Sequence, residues 1–171
     1  KAIDVHFTPI RVVCNNTLTF SLQSKSKNAV KMNHRTVFNP ELVKEQMGIA
    51  HEKFAQYKEM AEFLSTKRFS VESLIQYYAE VFPYTHKKDQ VANKVEDLSK
   101  NARQAMDVLY TQPGAELGEG SWWQALNSVT YLTDHQMGRN ADSRMQSAWF
   151  GINQARKLKA VNKAVEYATA A

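Results

Sequence analysis

The sequence predicts a mainly α-helical protein with a minor β component. Two long apolar series recur at heptad spacing: Val43, Met47, Ala50, Phe54, Tyr57, Ala61 and Leu64, then Val91, Val95, Leu98, Ala102, Ala105 and Leu109. Helix-start signals stand ahead of most apolar series, and strand-like alternation is confined to the N-terminal region. The two stripes predict an antiparallel helix pair within the chain, packed at the shallow coiled-coil angle. Their alternative use is a seam between copies in a homo-oligomer.

The elements follow in order. Residues 3–8, IDVHFT, alternate as a short strand. Thr8 and Pro9 then read as N-cap and first helical residue. Ile10, Val13, Cys14, Leu18, Ser21 and Leu22 share one helical face, so a helix is expected over 9–23. The β-branched and Asn content of that stretch keeps a strand open. AVKMNHR, within the basic stretch that follows, reads as another short strand. Asn39 and Pro40 start the first heptad helix. Ser70 caps a shorter helix carrying Val71, Leu74, Ile75, Tyr78, Val81 and Phe82, and Pro83 ends it. TQPGAELGEG, 111–120, is a loop; its glycine spacing and two glutamates do not suit phosphate. Ser121 caps a helix to about Met137, and Gly138 ends it. A last helix is expected over about 141–168, with Met145, Ala148, Ile152, Ala155, Leu158 and Val165 toward the core. The chain reads as a single domain, 1–171. It divides into a basic strand/helix segment (1–38), a helical hairpin region (39–110) and a C-terminal helix pair (121–168).

Composition narrows the function classes. With 171 residues, 43% hydrophobic and 23% charged, the chain can bury a core without staples. Cys14 is the sole cysteine, so no intrachain disulfide and no cysteine-based zinc cage can form. This fits a reducing cytosol. No apolar run approaches the ~18 residues of a membrane span, and no membrane partner is expected. No two of the five histidines sit at i, i+3 or i, i+4, so no helical metal pair is expected. Asp134 and His135 are neighbours on a helix and point apart, which does not make a catalytic dyad. No enzyme, metal or cofactor is expected.

The net charge of +5 is unevenly spread. Residues 1–38 hold six Lys/Arg against one acid, and 139–163 hold six against one. Brought together, the two segments would form one positive, anion-binding face; otherwise they are two solvated surfaces. Trp122, Trp123, Trp149 and Phe150 lie close to the second segment. Cations that hold phosphates beside rings that stack bases suit single-stranded nucleic acid, although such rings more often build core. The residues expected to contact nucleic acid are Arg11, Asn15, Lys31, Arg35, Arg139, Arg144, Arg156 and Lys157. A structural polar network is expected from Arg11, Asn16, Thr17, Asn127 and Asp134, with Arg11 paired to Asp134. The alternative places Arg11 and Asn15 on a groove floor facing phosphates.

Four stretches occur in a telling order: FTPIRVVCNNTLTFSL, VKMNHRTVFNPEL, GSWWQALNSVTYLTDH and QSAWFGINQARKLKA. Together they resemble the blocks of the phage/plasmid-like protein family, a family of unknown function. The resemblance covers about 8–160. It implies that the chain is the C-terminal part of a longer member, from a bacterial, phage or plasmid setting, in the cytoplasm. It supplies no catalytic residues. RNADSR, 139–144, is short for the family, which implies a smaller basic surface there. The expected function is that of a non-enzymatic, nucleic-acid-associated protein, binding or annealing single-stranded DNA in mobile-element replication or recombination. The alternative is an oligomeric structural, assembly or host-interference protein of phage origin acting through protein–protein contacts.

Overall fold

A computed structural model of the chain describes residues 2–6, 10–11, 16–17, 29–33, 40–84 and 91–171. Only the backbone is described in the strands and at 40, 42–51, 53 and 150. Asn15 and Arg35 lie outside the described residues, as do the side chains of Arg11, Asn16, Thr17 and Lys31. The fold is mainly α, with short strands at the N-terminal end.

The strands are β1 (Ala2–His6), β2 (Ile10–Arg11), β3 (Asn16–Thr17) and β4 (Ala29–Asn33). β1 and β4, the two expected strands, pair antiparallel, with Ala2 opposite Asn33 and His6 opposite Ala29. At the four described residues of the stretch 9–23 the backbone is strand and not the expected helix: Ile10 pairs with Thr17 and Arg11 with Asn16. Ile, Val and Thr there are stiff at the β-carbon and favour extended backbone.

Pro40 opens a 27-residue helix, α1 (Pro40–Thr66), whose C-terminal half seats Tyr57, Met60 and Leu64 on the core. α2 (Val71–Val81) begins in a capping box: the Ser70 hydroxyl accepts from the Ser73 N–H at 3.1 Å, and the Ser73 hydroxyl accepts from the Ser70 N–H at 3.0 Å. Leu74, Ile75, Tyr77, Tyr78 and Val81 are buried along it.

The second heptad series is not one helix. Val95–Asp97 form a single 3-10 turn, and α3 (Lys100–Asp107) follows. The Asp97 carboxylate accepts from the backbone N–H groups of Asn93 and Lys94 at 3.1 and 3.0 Å, a local bond that competes with helix. Ser99 then starts α3 afresh; its hydroxyl accepts from Ala102 N–H at 3.2 Å and donates to Phe82 O at 2.7 Å. Leu98, Ala102, Ala105 and Leu109 are buried as the stripe predicts, but Val91 is 65% exposed. The expected side-by-side heptad pair is therefore replaced: α3 packs on α2 and on the helix after the loop, while α1 packs on that helix and on the last one.

Loop 111–120 is held from inside. Gln112 donates to Gln124 O at 3.0 Å, Gln124 donates to Ala115 O at 3.3 Å, and the Gln124 side-chain oxygen accepts from Gly120 N–H at 2.8 Å. Ser121 caps α4 (Trp122–Tyr131), accepting from Gln124 N–H at 3.3 Å. α4 is the centre of the molecule, with α1, α3 and the last helix packed on it and β3 alongside. Trp122 stacks on Tyr167 with centroids 5.2 Å apart, and Phe69 and Tyr77 meet its edge region at 5.9 and 5.4 Å. The Tyr78 hydroxyl lies 2.6 Å from that of Ser128, and burial pushes the Tyr78 phenol pKa up.

The long helix expected over 141–168 is broken into α5 (Ala141–Phe150) and α6 (Ile152–Ala170). Gly151 is the break. Its backbone is extended, and a Cβ there would stand 3.0 Å from Ser147 Cα. The break resets the helical phase. Met145 and Ile152, expected in the core, are 61% and 63% exposed, and Leu158 is exposed too. The buried face of α6 is Asn153, Lys157, Ala160, Val161, Ala164 and Ala168, and its three alanines let α6 lie close to α4 and α2.

Candidate functional site

α4 does not end at Tyr131. It opens into a π turn, Leu132–Gln136, closed by a 2.8 Å bond from Met137 N–H to Leu132 O. Such turns fit an extra residue into a helix and are frequent at functional sites. Gly138 then turns the chain at φ +115°, where a Cβ would sit 3.3 Å from Arg144 Cβ. Thr133 is buried, with its hydroxyl 3.0 Å from both Val129 O and Thr130 O.

Asp134 sits in this turn and Lys157 beneath it. The Lys157 ammonium donates to Asp134 Oδ1 at 2.8 Å, with the two side chains 0% and 6% exposed. Burial pushes the Lys157 pKa down more than the Asp134 carboxylate pushes it up. Lys157 is thus a buried ion-pair member and not the phosphate-facing cation expected from the sequence. The expected Arg11–Asp134 pair falls on a side chain outside the described residues; among those described, the carboxylate has Lys157 as a partner. Above the pair, Asn127 donates to Trp123 O at 2.7 Å and Thr130 to Asn127 O at 3.0 Å, both residues buried. The Asn127–Thr130–Asp134 line is therefore interior. β3 carries Asn16 and Thr17 to the side of α4.

Outside this seam, the π turn and α5 frame a cleft of about 200 Å³ lined by His135, Arg144, Met145 and Trp149, with Asp134 at its base. Arg144 and Trp149 are half-buried, His135 and Arg139 exposed. The His135 ring lies 5.0 Å from that of Tyr131. Arg156 lines a different groove. It is half-buried, donates to Asn153 Oδ1 at 2.8 Å and lies 5.8 Å from the centroid of the Phe82 ring; burial lowers its pKa. Of the Trp pair, Trp122 is core and Trp123 is half-buried, edge-on to Tyr57 at 5.9 Å.

The structure therefore groups Arg144 with Trp149, removes Lys157 to the interior and sets Arg156 elsewhere. His135 as a cleft-lining group was not singled out by sequence reasoning; only its place in the π turn puts it there. The burial of Lys157 had one signal, the small residues Ala160, Ala164 and Ala168 that share its helical face. Among the described residues no group of three His, Cys, Asp or Glu could hold a metal ion, and no helix is long and apolar enough to cross a membrane.

No curated protein and no solved structure matches the chain. A family model does, over residues 1–149, a span that takes in the π turn and the cleft but not Lys157. The chain belongs to the family described as Domain of unknown function (DUF932).

Proposed function

We propose that the chain is a non-enzymatic, nucleic-acid-associated protein that takes single strands at the cleft between the π turn and α5. The observation that supports this is the meeting of a half-buried guanidinium, Arg144, with a half-buried indole, Trp149, at one opening. Exposed Arg139 stands near it in sequence. At about 200 Å³ the cleft is smaller than the ~300–1,000 Å³ of a whole small-molecule site. It suits one planar group, with cations at the rim for phosphate. A cytoplasmic role in mobile-element replication or recombination, including strand annealing, is the finer form of this reading.

Fluorescence anisotropy of labelled single-stranded and duplex DNA tests it. Affinity for single strands falls steeply with salt, and Arg144→Ala lowers the salt slope by roughly 0.7. Trp149→Ala costs about 1–3 kcal/mol of binding with the slope unchanged. Absence of binding at low salt sinks the reading.

A second reading, an oligomeric protein acting through protein contacts, is favoured by α1, which leaves Phe54 and Phe63 exposed. It predicts a salt-insensitive oligomer by light scattering that Phe54→Asp dissociates.

A further inference from the structure

The C-terminal end of α2 and the start of α6 enclose a second groove, of about 670 Å³. Phe82, Pro83 and Tyr84 line it from the α2 side, Ile152 and Ala155 from α6. Tyr84 and Ile152 are both exposed, so two large side chains meet water at its edge. The volume falls within the ~300–1,000 Å³ range of sites that enclose a ligand group.

The charge of this groove has one sign. Arg156 and Lys159 line it, and no carboxylate does among the described residues. Arg156 uses one N–H on Asn153 and rests over Phe82. A guanidinium has five donors in a planar fork that matches a carboxylate. Elsewhere on α6 the cations are matched: Lys157 has Asp134, and Lys163 has Glu80 and Glu166. Arg156 is half-buried with no carboxylate in ion-pair contact among the described residues. Glu80 and Asp97 line the adjoining pocket, but both are engaged, Glu80 by Lys163 and Tyr167 and Asp97 by backbone N–H groups.

We propose that this groove docks an acidic peptide segment of a partner protein. An aliphatic or aromatic side chain of the peptide seats between Tyr84 and Ile152, and its neighbouring carboxylate pairs with Arg156, flanked by Lys159. Charge complementarity selects the occupant: a half-desolvated guanidinium beside an apolar wall calls for an anion joined to an apolar group. A nucleic-acid strand would want a longer track of cations than two, and its bases would find aliphatic surface at Ile152 and Ala155.

Heteronuclear NMR of the whole chain tests this with N-acetyl-phenylalanine, which joins an aromatic side chain to a carboxylate, and with its uncharged amide. The acid gives saturable shifts at Tyr84, Ile152 and Arg156. Binding weakens about tenfold for the amide and for Arg156→Gln, the usual scale for losing a charge-assisted hydrogen bond. Lys159→Gln, on the exposed flank, weakens it about threefold and stands in if Arg156→Gln does not fold. Lys58→Gln, a distant exposed charge on α1, binds as the unaltered chain does. No saturable shift at the groove, equal affinity for acid and amide, or displacement of the acid by oligothymidylate would each overturn the proposal.

Discussion

Two ion pairs on α6 have nearly the same length and opposite character. Lys157 meets Asp134 at 2.8 Å with side-chain exposures of 0% and 6%. Lys163 meets Glu80 at 2.7 Å with exposures of 27% and 35%, and also reaches Glu166 at 2.9 Å. Distance does not separate them; solvent does. The first pair has left water, and each charge offsets part of the other's desolvation. The second stays wet, where Coulomb attraction is screened and side-chain ordering cancels much of it. The buried pair fixes where α6 lies against the π turn, whereas the half-buried one decorates a contact that apolar packing already makes.

The largest effect comes from breaking the buried pair on one side. Lys157→Met takes the ammonium away from the buried Asp134 carboxylate and costs roughly 3–5 kcal/mol in urea unfolding. Adding Asp134→Asn restores a large part of the loss. A double variant no better than the single one would mean that packing, and not charge, accounts for the loss. Gly151→Ala comes next. Its Cβ would crowd Ser147 Cα at 3.0 Å, so α5 and α6 must shift, at about 1–3 kcal/mol. Because Asp134 and Lys157 sit on either side of that junction, amide shifts near the buried pair move more than those near Glu80. Lys163→Ala costs less than about 1 kcal/mol, and the loss shrinks in high salt.

Acid gives the finest test of the half-buried pair. Burial opposes ionisation of Glu80, but hydrogen bonds from Lys163 and Tyr167 and the nearby lysines outweigh it and pull its pKa below the usual value of 4.5. Its folded pKa lies below its unfolded one, so its contribution is full above 4.5 and fades as pH falls through the lowered folded value. The stability gap between the unaltered chain and Glu80→Gln is therefore small near about pH 6 and narrower still near about pH 3.

The same contrast explains how much was legible in the sequence. Local signals read well. Pro40 opened α1, Ser70 and Ser121 capped their helices, and Gly138 ended the π turn, because a cap needs only neighbours within one turn. The two short strands β1 and β4 were likewise visible, though their pairing was not. Other readings failed. The stretch 9–23 has helical spacing, yet Ile10–Arg11 and Asn16–Thr17 within it pair as strands, in keeping with β-branched backbone preference. The Val91–Leu109 stripe has heptad spacing, yet Asp97 and Ser99 interrupt it with their own backbone bonds. On α6 the bulky residues drew attention to the wrong face. Ala160, Ala164 and Ala168 carry little hydrophobic weight in a sequence but allow the closest approach of backbone to backbone. Lys157 shares that face, and nothing nearby in sequence announces that its carboxylate comes from the π turn. The cleft was half legible: Arg139, Arg144 and Trp149 were marked by charge and ring, while the grouping of Arg144 with Trp149 and His135 depended on the break at Gly151 and the turn at Gly138.

The position of α4 has a consequence for the order in which the molecule comes apart. α4 has 10 residues, fewer than the ~12–15 at which an isolated helix becomes marginally stable in water. Eight of those residues are buried, from Trp122 to Thr130, under α1, α3 and α6. Its amide hydrogens reach solvent only when those covers leave together. Deuterium uptake at Leu126 and Val129 therefore reports global opening, while the exposed flank of α6 exchanges through smaller, earlier fluctuations. The last protons to exchange belong to a segment too short to be a stable helix by itself.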